Sequence, residues 1–149
     1  MKLVIYACFS GTHAAVVAAL IHLGWLKPQV LPSWEELDKH PEFNTPTGRG
    51  GLRFLGRTGE GYAVYTAAIG NDGELVRRAV QSFLPLVGRK PTEVVWLDLS
   101  QQVSLLWRAG AFLQRYSALY WLGTLLLRYS LKKDYWRLVK VVGKVRANQ

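Results

Sequence analysis

A chain of 149 residues that is 50% hydrophobic and 12% aromatic can bury one sizeable core, and it is too apolar to be a disordered segment. Its single cysteine excludes an internal disulfide framework and a multi-cysteine zinc site, and makes a reducing, cytoplasmic setting the default. The net charge is +9, and +8 of it falls in residues 103–149, where nine Lys/Arg accompany one acid, Asp134. Such asymmetry points either to an anionic partner or to simple solubility.

Lys2–Cys8 is a run of strand formers without alternation, the pattern of a central strand buried on both faces. A helix from about Thr12 to Leu23 follows and stops at Gly24, which suits the left-handed position past a helix end. Its body, AAVVAALIHL, is apolar all round and predicts burial on more than one side. Ser33 and Glu36 form a capping box for a short helix that ends before Pro41, and residues 41–51 read as a loop.

LRFLG (52–56) and YAVYTAA (62–68), joined by RTGEG, read as a β-hairpin. Asn71, with Glu74 three residues on, caps a helix whose apolar positions are Leu75, Val76, Ala79, Val80, Phe83 and Leu84. TEVVWLDLS (92–100) is a second buried strand, with Ser100 placed to cap the helix after it. LLLRYS (125–130) reads as a last strand, with helix as the alternative, and a final helix covers about 131–144.

This order predicts a single α/β domain, a three-layer sandwich with a mostly parallel central sheet and an antiparallel hairpin toward one edge. The first and fourth strands are expected side by side in its centre, with helices on both faces. Neither a signal peptide nor a transmembrane span is expected. The longest uncharged stretch of the C-terminal part, 116–127, falls short of the roughly 20 residues needed to cross a bilayer.

Ligands of open α/β sheets bind beyond the carboxyl ends of the strands, where CFSGTH lies. Ser10, Gly11 and Thr12 are therefore candidate ligand-binding residues, through free amides at a helix start and two hydroxyls. The loop lacks the Lys of a Walker A motif and the glycines of the dinucleotide fingerprint. An Arg six residues after Cys8, as a cysteine phosphatase would need, is also missing; Ala14 stands there.

His13 is a candidate proton-transfer group, neutral at rest beside a helix N-terminus. Asp98, at the end of VVWLD, is the other candidate catalytic residue, able to orient His13 or to hold Mg²⁺ through water. No cofactor is otherwise predicted. Cys8 and His22 read as core residues. On a helical wheel Lys133, Arg137, Lys140 and Lys144 share one arc opposite Leu131, Tyr135, Leu138, Val142 and Val145.

CFSGTHAAVVAALIHLG, with GLRFLGRTGEGYAVY and RAGAFLQR, resembles a small bacterial family, domain of unknown function 3189. Its members begin with a strand, a Cys-aromatic-Gly-Gly-Thr-His-Ser-Ser type motif and AAAIHLG. Here Ser10 replaces the first Gly, and Ala14 and Ala15 replace the two Ser residues. The resemblance implies the fold and the loop, and no settled activity.

Two functional readings follow. The first is a cytoplasmic domain that binds a small phosphorylated or otherwise anionic ligand at Ser10–His13 with Asp98 nearby, with a transferase or hydrolase activity as an option. The second is a non-enzymatic interaction protein whose basic C-terminal helix meets nucleic acid, an anionic membrane or an acidic protein.

Overall fold

The computed structural model describes residues 2–149. Four strands, β1 (Leu3–Cys8), β2 (Leu52–Arg57), β3 (Ala63–Ala68) and β4 (Val94–Asp98), form one sheet in the order β2-β3-β1-β4. β1 runs parallel to both neighbours, and β2 closes one edge antiparallel to β3. The hairpin lies at an edge as the sequence predicts. β1 and β4 are parallel partners, but the centre is shared by β1 and β3, and β4 forms the opposite edge. Its side chains are accordingly half-buried rather than enclosed.

Helix α1 (His13–His22) is buried at every residue. It lies on β1 and β3 and is flanked by α3 (Pro41–Asn44) and α6 (Tyr120–Ala147), which is why an all-apolar sequence suits it. Its C-terminus closes with Gly24 at φ +75° and bonds from Gly24 N–H to Ile21 C=O and from Trp25 N–H to Leu20 C=O. That pair of bonds satisfies the last carbonyls, and only glycine takes the required φ without strain. Helix α2 (Trp34–Asp38) begins with the capping bond from Glu36 N–H to Ser33 Oγ, 3.1 Å. The loop expected from residue 41 contains the short α3, started by Pro41 in a first-turn position that tolerates its missing N–H.

The other face of the sheet carries α4 (Gly73–Phe83), which has no buried residue, and the short turn Leu84–Val87 after it. Ile5, Ala7, Ala67 and Ile69 pack there against Val76 and Val80, while Leu75 and Phe83 remain exposed. Three layers are present, and they are unequal. The N-cap of α4 is Asp72 rather than Asn71, and Glu74 pairs with Arg77 and Arg78 instead of reaching back.

The largest departure is at the C-terminus. The expected strand 125–130 and the helix after it are one 28-residue helix, α6. It crosses α5 (Leu105–Leu113) where Gly110 meets Gly123. A Cβ on Gly123 would lie 2.6 Å from the Gly110 carbonyl oxygen, so the backbones touch. The start of α5 is capped at Ser104, not Ser100, and buried Asp134 of α6 accepts hydrogen bonds there from Ser104 N–H (2.8 Å) and Trp107 Nε1–H (3.0 Å).

Candidate functional site

The loop after β1 turns at Gly11, whose φ of +67° favours glycine. The space a side chain would take is occupied: an added Cβ would lie 2.7 Å from Thr47 Oγ1 and 2.8 Å from Ala68 N. Gly11 N–H donates to Cys8 C=O at 3.3 Å, and Gly11, Thr12 and His13 are all buried. The Cys8 thiol donates to Thr12 C=O at 3.4 Å, and the amides of the surrounding loop act to lower its pKa. The expectation of an open amide cradle at Gly11 is therefore corrected: this residue shapes the loop from inside, and its close approach is to β3 and Thr47. Burial nevertheless outweighs those amides and pushes the Cys8 thiol up, so the sulfur stays protonated.

The loop holds a chain of side-chain polar atoms that runs inward from half-buried Ser10. Ser10 Oγ is 2.7 Å from Thr12 Oγ1, which is 3.0 Å from His13 Nδ1. His13 has φ +32°, the one positive φ outside glycine among the described residues. Such strain persists only where the surroundings enforce it, and here Phe43 packs edge-on at 5.1 Å while Trp107 lies at 6.5 Å. His13 Nε2 is buried without a hydrogen-bond partner. Asn44 and Gln114 are close enough to favour its protonation, but both turn their amide nitrogens elsewhere, to Asp38 and Thr124. Desolvation prevails and pushes the imidazole down to about 4, so His13 is neutral near pH 7.

This predicts a pH dependence of stability. The unfolded chain binds a proton at His13 from its ordinary value of 6.5 downward, whereas the folded protein resists it to about 4. The stabilising contribution is complete above pH 6.5 and is lost as pH falls toward 4, about 3 kcal/mol by linkage. The difference between urea midpoints at pH 7 and pH 4 should shrink in His13→Asn, a residue that tolerates positive φ, while buried His22 keeps a part of it. An unchanged difference between the two pH values would show that the imidazole is not desolvated.

His13 and Ser10 line a cleft between this loop and α5, formed by two adjoining hollows of about 20 and 160 Å³ that share Phe9, Ser10, His13 and Ala111. The first has room for little more than a water molecule, and the second is the roomier of the two. Arg108 lines one hollow and Arg115 the other. Arg108 is fixed: its guanidinium sits 4.6 Å from the Phe9 ring centroid, and Nη2–H donates to Asn71 Oδ1 at 2.5 Å. A guanidinium held over an aromatic ring keeps other donors for a fork-shaped bond to an oxyanion. Neither arginine was singled out from the sequence. The available signal was RAGAFLQR, which carries Arg108 on α5 and Arg115 in the turn just past its end.

A family model matches residues 3–147, from the start of β1 to the last residue of α6. The chain belongs to DUF3189, a family described as a protein of unknown function. No curated protein and no solved structure matches the chain.

In this DUF3189 member Asp98 stands apart from the loop. Asp98 is in register with Ala7, so its side chain lies on the α4 face, with Oδ2 3.2 Å from where a Gly73 Cβ would be. Its Oδ1 accepts from Ser100 N–H at 2.8 Å. His13 packs on the α1 face, so the expectation that Asp98 faces and orients it is corrected. Asp98 braces the turn after β4 beside the start of α4, where a carboxylate suits the helix dipole. Among the described residues no three His, Cys, Asp or Glu side chains converge as a metal site would require.

Lys133, Arg137, Lys140 and Lys144 are exposed along α6, remote in sequence from the cleft residues of α5. Arg137 lies 3.6 Å from Asp134, and the three lysines have no carboxylate at ion-pair distance among the described residues. His22 is a core residue as expected, its Nδ1 2.7 Å from the Tyr6 hydroxyl. No helix among the described residues is long and apolar enough to cross a membrane.

Proposed function

We propose that this chain binds a small phosphorylated or otherwise anionic ligand in the cleft between the β1–α1 loop and α5, acting in the cytoplasm. The observation that carries the reading is Arg108, held by Phe9 and Asn71 at the rim of a hollow that also contains Ser10 and the unpartnered His13. The anion would rest against Arg108 and Ser10, with Arg115 at the far end and the positive end of α1 beneath it.

A transferase or hydrolase step is the chemistry this arrangement supports. With a proton on Nδ1 donated to Thr12 Oγ1, and Thr12 donating to Ser10, His13 Nε2 is a lone-pair acceptor. A bound anion beside it would raise the imidazole pKa toward the range where a proton is both taken and returned. Ligand affinity should then strengthen as pH falls from 8 to 6.

The test is calorimetric titration with inorganic phosphate, sugar phosphates and nucleotides against wild type and Arg108→Met. The expected result is at least one ligand whose affinity drops roughly 10- to 100-fold in the variant, as loss of a charge-assisted bond implies. Equal affinities in the two proteins, or no heat with any of these anions, would overturn the assignment.

A further inference from the structure

The exposed side of α6 carries more than its lysines. At 100° per residue, Trp121, Leu125, Tyr129 and Trp136 fall within about 80° of arc, extending about 22 Å along the helix. They are 64%, 52%, 59% and 46% exposed. Basic residues border this stripe on both sides. Arg128 lies along one margin and Lys132 falls between Trp121 and Leu125, while Lys133, Lys140, Lys144 and Arg137 fill about 60° beyond the other margin. The buried side of the helix, through Leu127, Leu131, Tyr135, Leu138 and Val142, occupies what remains. The helix thus has a core-facing side and, away from it, an aromatic stripe edged with cations. Its one acid, Asp134, is turned inward to α5.

We propose that this face of α6 docks on an anionic membrane surface, the helix lying in the plane of the headgroups. Tryptophan and tyrosine seat at the headgroup level because their rings are apolar with one polar tip, and Leu125 adds apolar contact between them. Lysine and arginine stems run outward from such a stripe and place their charges among lipid phosphates. A flat surface can touch all four stripe residues at once, since they lie on one side of a straight rod. Duplex nucleic acid fits less well, since phosphate recognition calls for cations along the centre of the contact. A single strand, which stacks its bases on aromatic rings, meets aliphatic Leu125 in the middle of this stripe. The surface is peripheral, since α6 is not apolar enough to span a bilayer, and the proposal does not depend on the cleft.

The test is co-sedimentation with phosphatidylglycerol–phosphatidylcholine vesicles, with phosphatidylcholine vesicles, duplex DNA and single-stranded RNA as the other arms. Retention is expected on the anionic vesicles, with a blue shift of tryptophan emission. A variant combining Lys133→Gln, Lys140→Gln and Lys144→Gln should lose about 100-fold in partitioning. Trp121→Ser with Leu125→Ser should lose roughly tenfold or more, since both residues are exposed in the folded chain and their loss removes only apolar contact with lipid. Circular dichroism of both variants would verify that the fold is kept. No retention on anionic vesicles, retention indifferent to either variant, or tighter binding to DNA or RNA than to vesicles would each overturn the proposal.

Discussion

Replacing Asp134 with alanine is expected to lower the unfolding free energy by about 2–4 kcal/mol, the cost of leaving two hydrogen-bond donors without their acceptor. The carboxylate is fully buried, and its Oδ2 accepts from Ser104 N–H and Trp107 Nε1–H. Alanine leaves both donors without an acceptor, and an orphaned buried donor costs about 1–3 kcal/mol. It also removes negative charge from the N-terminal end of α5, where the helix dipole favours it. Arg137 contributes little at 3.6 Å and more than half exposed, so Arg137→Gln should change stability by well under 1 kcal/mol. Asp134→Asn keeps one acceptor oxygen and should fall between the two. Urea unfolding followed by circular dichroism measures all three. An alanine variant as stable as Arg137→Gln would mean that α5 is held by its apolar contacts alone.

Two glycines of α6 should respond to the same substitution with opposite signs. Gly143 has open space around it, so Gly143→Ala should stabilise by up to about 1 kcal/mol, the helix-interior difference between these residues. Gly123→Ala should destabilise by about 3 kcal/mol, the upper part of the usual range for overpacking. Its Cβ would sit 2.6 Å from Gly110 O and 2.9 Å from Gln114 N. Those neighbours are backbone and cannot rotate aside, so the two helices must separate. Thermal midpoints of the two variants, one above and one below wild type, check the crossing directly. Two upward shifts would place α5 and α6 further apart than described here.

The parts of this fold that were legible from sequence are those written locally. The non-alternating β1, the all-apolar α1 ending at Gly24, the Ser33 cap and the RTGEG hairpin each depend on a few adjacent residues. LLLRYS reads as strand or helix because a short apolar run has the same composition in both when buried, and the structure takes the helical alternative. What decides it is Gly123 against Gly110, a contact between separate helices. The side of the sheet on which Asp98 emerges depends on its register with Ala7, and a shift of one residue would reverse it.

The loop itself was legible as a place and less so as a mechanism. Ser10 and His13 do line a cleft, but Gly11 works against β3, and the cationic groups come from α5 and the turn that follows it. Asn71 fits a helix-cap pattern, yet its side chain is the acceptor for Arg108, 37 residues further along the chain.

That last contact ties the cleft to the least secured layer of the molecule. α4 buries none of its residues, so detaching its first turn from the sheet requires little free energy compared with opening the side built from α1, α5 and α6. Asn71 is situated just ahead of that turn. The guanidinium that borders the cleft is thus anchored at one end to a loosely attached part, and fraying of a few residues there would release it to swing toward solvent while the rest of the protein stayed folded.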